Sequence, residues 1–183
     1  MLIVAAAYEA AKDYLGEKIL PLERHTAADK QTKSLGDVQI TLIDKDDVVT
    51  VYEMKAKPVI QHDIDVALQK ASKSQQKIDN FIFITTEAID EQVKNYASSL
   101  YVQTGGIEFA ILDCIGFIRH FLHLFHRIRI QFLDAYQRLL LAEPDSAVRQ
   151  PLKDLFLMLR LTAETAYVSD NQIDDSETAH PTT

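Results

Sequence analysis

Few of the residues that mark special protein classes are present. One cysteine, five glycines and five prolines in 183 residues exclude a disulfide-stapled scaffold and a collagen-like repeat. A content of 47% hydrophobic and 25% charged residues excludes a wholly disordered chain. Long apolar runs are missing as well. The stretch after Gly106 is interrupted by Glu108, Asp113, Arg119 and His120, well short of the ~20 residues that span a bilayer. Residues 1–7 are apolar but carry no basic region, so no signal peptide is expected. Positive charge is in deficit, with 19 Lys and Arg against 27 Asp and Glu and a net charge of -8. The molecule as a whole therefore repels nucleic acid and anionic membrane, and a polyanion binder of this composition needs a local basic patch. Cys114 has no partner in the chain and sits among Leu112, Ile115 and Phe117, which points to a reducing, cytoplasmic compartment.

A chain of this length buries roughly 70% of its unfolded surface, enough for a core without metal support, so a metal here would serve chemistry. Alanine-rich text predicts a helix over residues 1–16, ending at Gly16. Residues 18–24 predict a strand that Pro21 confines to an edge or bulge. Residues 37–42 alternate polar and apolar, residues 48–56 are β-branched and aromatic until Pro58, and the turn between them makes a hairpin. Then follow a helix over 61–77 with Ile64, Leu68 and Ala71 on one face, a buried strand over 81–85, a helix over 87–101 and a strand over 107–112. Two further helices are expected over 115–142 and 148–167, separated by Glu143, Pro144 and Asp145.

This order predicts an α/β fold, a mixed β-sheet flanked by helices with a C-terminal helical extension. The expected divisions are a core over 1–113, the extension over 114–168 and a disordered acidic tail over 169–183. The tail holds Asp170, Asp174, Asp175 and Glu177 and no base, so half of the net charge lies there.

The chemistry concentrates on the hairpin. Glu53 and Lys55 are two apart on a strand and share a face. With the hairpin folded about Lys45, residues whose numbers sum to about 90 lie opposite each other, which pairs Asp37 with Glu53. Their Cβ atoms are then roughly 5 Å apart. Two close carboxylates are costly unless neutralised. A hard divalent cation is the usual solution, since Mg²⁺ takes one or two carboxylates together with water and phosphate oxygens. Lys55 would then hold or polarise the attacking water, an arrangement suited to phosphodiester hydrolysis.

Gly36-Asp37-Val38-Gln39-Ile40 followed by Val51-Tyr52-Glu53-Met54-Lys55 resembles the PD-(D/E)XK nuclease core, with Gly36 where the family name has proline. The preceding helix, the following helix and the strand at Phe81 fall in that fold's order, and the helical extension looks most like type II restriction endonucleases of the SacI kind. The resemblance implies a Mg²⁺-dependent endonuclease, with Mn²⁺ as a substitute, acting on double-stranded DNA. It implies Asp37, Glu53 and Lys55 as the catalytic set. Asp37, Glu53 and the Met54 carbonyl would be metal ligands, with Glu9 of the first helix as an accessory acid. Palindromic cutting implies two active sites and hence a homodimer. A repair or recombination nuclease, or a noncatalytic DNA- or partner-binding module, would use the same fold. The same hairpin letters also describe a solvated polar face.

Lys57 continues the Glu53 face, as a second cation near phosphate or as an edge-strand charge. Gln69, Lys73 and Gln76 read first as a solvated helix face. His120, His123 and His126 span about 120° of a helix and do not converge on one ion. Together with Arg119, Arg127 and Arg138 they form a basic stripe on the helix predicted over 115–142, either solvated or tracking phosphates, opposite an apolar face that includes Phe121, Ile128 and Phe132.

Overall fold

The computed structural model describes residues 1–22, 34–45, 47–74 and 76–174, with side chains through 165. The elements run α1 (Leu2–Leu15), β1 (Glu17–Ile19), β2 (Val38–Leu42), β3 (Val48–Lys55), α2 (Gln61–Lys73), β4 (Asn80–Thr85), α3 (Glu91–Gln103) and β5 (Glu108–Asp113). After them come α4 (Cys114–Leu124), a 3-10 turn (His126–Ile128), α5 (Arg129–Ala142) and α6 (Gln150–Asp174). The strands form one mixed sheet in the order β1-β2-β3-β4-β5. The first three are antiparallel neighbours, while β3, β4 and β5 are parallel. Parallel neighbours need a crossover, and α2 and α3 supply them.

The hairpin register follows from its pattern. Val38 pairs with Tyr52, Gln39 with Val51 and Ile40 with Thr50, before a bulge between Ile40 and Thr41 shifts Thr41 to Val48. Alternation then sorts the side chains onto two faces. On one, Val51, Phe81, Phe83 and Phe109 pack with Ile64, Ala67 and Ala71 of α2 and with Ala97 and Leu100 of α3. On the other, Val38, Ile40, Tyr52 and Ile84 pack with Val4 of α1, and Cys114 and Phe117 of α4 lie against them. Tyr8 of α1 and Tyr52 share a hydrogen bond of 2.9 Å. Asp65 accepts a 2.6 Å hydrogen bond from the Tyr96 hydroxyl and so ties α2 to α3.

Three expectations change. The strand expected over 18–24 is Glu17–Ile19; Pro21 offers no amide to extend the ladder, and Arg24 lies outside the described residues. The helix expected over 115–142 is broken. At Phe125 (φ -105°, ψ 45°) it passes into the 3-10 turn, which brings the Phe121 and Phe132 rings together in a tilted contact, centroids 5.5 Å apart, and buries Ile128. Arg129 Nε donates to the Leu122 carbonyl at 2.9 Å, satisfying a group that the break leaves without a helical donor. Finally, α6 continues to Asp174, past the point where the acidic tail is expected to begin; residues 175–183 lie outside the described residues.

The chain divides into two compact units, Met1–Tyr136 and Gln137–Thr183. This boundary lies within α5. In the second unit, buried Lys153 donates to the Glu143 carbonyl at 2.6 Å and pairs with Asp145 at 3.3 Å, clipping the turn between α5 and α6. Among the described residues no helix is long and apolar enough to cross a membrane.

Phe81 is fully buried, 5.3 Å from Phe83 and 5.7 Å from Phe109 between ring centroids. Phe81→Ala should therefore destabilise the first unit by about 3–5 kcal/mol, read as a lower denaturant midpoint.

Candidate active site

The two halves of the site come from adjacent strands. Asp37 immediately precedes β2, and its Oδ2 accepts a 2.7 Å hydrogen bond from the Met54 amide. This bond carries the hairpin one step beyond its last strand pair, so Asp37 stands at the Glu53 end of β3. Gly36 makes the approach feasible. A β-carbon there would lie 2.5 Å from Val51 Cγ1, 2.8 Å from the Tyr52 carbonyl oxygen and 3.4 Å from Glu53 Oε2.

Alternation along β3 sends Met54 towards α1 and leaves Glu53 and Lys55 facing α2. Lys55 Nζ is 3.5 Å from Glu53 Oε1 and 3.1 Å from Asp63 Oδ1. Lys70 Nζ is 4.0 Å from Glu53 Oε2. Asp63 is itself anchored, because its Oδ2 accepts the Ile60 amide at 3.0 Å at the start of α2. Glu53, Lys55, Asp63, Lys70 and His62 line a small cleft of about 130 Å³, floored by Phe81 and Phe83. The loop feeding α2 is also fixed. Buried Thr85, in register with Lys55, donates its hydroxyl to the Lys57 carbonyl at 3.1 Å and accepts the Glu87 amide at 3.1 Å.

The charges follow from this packing. Burial pushes the Glu53 carboxyl up from its ordinary value, Lys70 pulls it down, Asp37 pushes it further up and Lys55 opposes both; the net direction is upward. For Lys55, burial disfavours the ammonium, but Asp63 and then Glu53 hold its pKa above the usual lysine value. Lys55 is therefore a donor and a fixed positive charge at neutral pH, and not a proton acceptor. Burial raises Asp63, yet the Ile60 amide and Lys55 bring its net pKa below the ordinary aspartate value.

Asp37, Glu53 and Lys55 are thus brought together at one end of the hairpin. Glu9 sits on α1, whose neighbours Tyr52 and Val38 mark the opposite face of the sheet. Lys57 is exposed just beyond β3. Arg119 and His123 are exposed on α4, which packs on the α1 face through Phe117 and Tyr52 at 6.3 Å. Arg127 lies on the 3-10 turn and Arg138 on α5, in the second unit, so after the break at Phe125 no single helix carries the stripe. Among the described residues no group of three or more His, Cys, Asp or Glu forms a metal-binding cluster, the three histidines included.

Sequence reasoning missed Asp63 and Lys70, although a signal exists. They are seven residues apart, two turns of α2, beside the buried stripe of Ile64, Ala67 and Ala71. Only the hairpin's orientation relative to α2 shows that this edge of the helix overlooks Glu53.

Residues 1–87 match the family model of the SacI restriction endonuclease C-terminal domain. This part of the chain is similar to a restriction endonuclease domain. The matched stretch runs from α1 to just past β4 and contains Asp37, Glu53, Lys55, Asp63 and Lys70. A search of curated proteins returned no match.

Two measurements probe this geometry. Gly36→Ala places a β-carbon against a backbone oxygen that cannot yield, so a loss of about 1–3 kcal/mol is expected in denaturant unfolding, as for other overpacked sites. Asp63 contributes stability that is present above its unfolded pKa of about 3.9 and is lost as pH falls through its lower folded value. Acid unfolding of the wild type should accordingly be steeper below about pH 4 than that of Asp63→Asn.

Proposed function

We propose that this chain is a Mg²⁺-dependent endonuclease of the PD-(D/E)XK type that hydrolyses double-stranded DNA, a type II restriction endonuclease or a fragment of one, working as a homodimer. The observation that carries the reading is the convergence of Asp37, Glu53 and Lys55 at the end of β3, inside the stretch similar to a restriction endonuclease domain.

The donor set suits a small hard cation. Asp37 commits Oδ2 to the Met54 amide and retains Oδ1, and Glu53 supplies the second carboxylate. A strand residue's amide and carbonyl leave by the same edge, so the Met54 carbonyl exits on the Asp37 side, beyond the last β2 pair. Two carboxylates and one carbonyl leave room for the waters and phosphate oxygens that Mg²⁺ retains. When bound, the ion would lower the pKa of a water and offset charge growing on the phosphoryl oxygens.

The chain's own groups do the rest. Asp37 and Glu53 hold the carboxylate pair at one place on the strand end. Lys55, kept protonated by Asp63 and Glu53, donates hydrogen bonds that orient the attacking water and stabilise negative charge on the phosphate. Phe81 and Phe83 give the cleft an apolar floor, which strengthens these electrostatic interactions. Exposed Lys57, Arg119, His123 and Arg127 are the cations assigned to phosphates outside the cleft.

Incubation with plasmid DNA and Mg²⁺ should give cleavage that chelator abolishes. Lys55→Ala should lower the rate by about 10²- to 10⁴-fold while divalent-ion affinity stays near wild type, because Lys55 acts on water and phosphate. Wild-type cleavage by this variant would remove Lys55 from the catalytic set. Absence of cleavage by the wild type, with DNA binding retained, would favour a noncatalytic module.

A further inference from the structure

Two carboxylates as close as Asp37 and Glu53 need positive charge beside them, and two lysines supply it in different ways. Lys55 is held on two sides. Its Nζ is 3.1 Å from Asp63 and 3.5 Å from Glu53 with 22% of its side chain exposed, and Asp63 is locked in turn by the Ile60 amide. Lys70 is held loosely. It approaches Glu53 Oε2 only to 4.0 Å and has 42% of its side chain exposed. Its backbone is nevertheless well placed, because the bond from Tyr96 to Asp65 ties α2 to α3 while Ile64, Ala67 and Ala71 bury the inner face of the helix. Movement of this charge is therefore a matter of its four-carbon stem, the flexible part of lysine. The stem starts on the wall of the cleft that Glu53 and Lys55 also line.

We propose that Lys70 is an exchangeable counter-ion of Glu53. It neutralises the carboxylate until a divalent cation takes it, then turns within the cleft to a phosphate oxygen of the bound nucleic acid. Lys55, fixed by Asp63, keeps its place throughout. The role rests on the nuclease reading and assigns to α2 a substrate-binding function that the hairpin motif does not contain. It also accounts for a positive charge at a position where a permanent one would weaken metal binding. A charge that leaves Glu53 as the cation arrives lowers that cost and gains a phosphate contact.

The test sets two equilibria that must move in opposite directions. Mn²⁺ alone is titrated calorimetrically into wild type, Lys70→Gln and Lys70→Arg. Binding to a DNA duplex is then measured in Ca²⁺ at several salt concentrations. Lys70→Gln should bind Mn²⁺ about three- to fivefold more tightly, the scale of a solvent-screened ion pair. The same variant should bind DNA more weakly, with a log-affinity against log-salt slope smaller by about 0.9, the loss of one phosphate contact. Lys70→Arg should restore the slope. A general structural defect would weaken both equilibria together, so opposite movement is specific to counter-ion exchange. Unchanged Mn²⁺ affinity, or an unchanged salt slope, in Lys70→Gln overturns the role of Lys70 while leaving the nuclease reading intact. Failure of the wild type itself to bind Mn²⁺ overturns both.

Discussion

Placing Asp37 opposite Glu53 at the end of one hairpin is the constraint around which the rest of the site is arranged. The Asp37 bond to the Met54 amide fixes one carboxylate to the strand that carries the other, and burial of Glu53 makes the repulsion costlier than it would be in water. Every neighbouring feature answers that cost. Lys55 stands on the same face, α2 brings Lys70 over it, and Asp63 pins Lys55 so that the positive charge cannot drift away.

Much of this was legible because it depends on period and register. Alternation over residues 37–42 and 48–56 defines which side chains share a face, and the hairpin pairing that joins Asp37 to Glu53 appears in the observed pairs Val38 with Tyr52 and Gln39 with Val51. The mixed sheet also follows from element order, since α2 and α3 must carry the chain back to the same end of the sheet for β4 and β5 to run parallel. What was not legible depends on how one element sits against another. Asp63 and Lys70 are polar residues on an exposed-looking helix edge until α2 is laid across β3. The break at Phe125 contains neither proline nor glycine; it follows from the burial of Phe121 with Phe132, a pairing between residues eleven apart that helical spacing alone does not favour.

The acidic composition reads differently once the charges have places. A net charge of -8 repels DNA at a distance, yet the cleft itself presents two ammonium groups beside two carboxylates on its own wall, Glu53 and Asp63. The positive charge of the cleft is thus matched locally by acids on the same wall. Similarity of residues 1–87 to the SacI endonuclease C-terminal domain covers this cleft in full, whereas the helices after β5 lie outside it and are free to differ in what they contribute.

The bulge between Ile40 and Thr41 divides the hairpin into two mechanically distinct parts. A one-residue slip in an unbroken ladder would carry through to its far end and turn every side chain to the other face. Here the offset is absorbed before the strands reach Asp37. The tip around Asp44 can therefore vary in length and composition over evolutionary time without disturbing the acid pair. The Gly36 end, pressed against the Tyr52 carbonyl, has no such freedom. Variation among descendants of this sequence should accordingly gather at the tip of the hairpin and be scarce at its base.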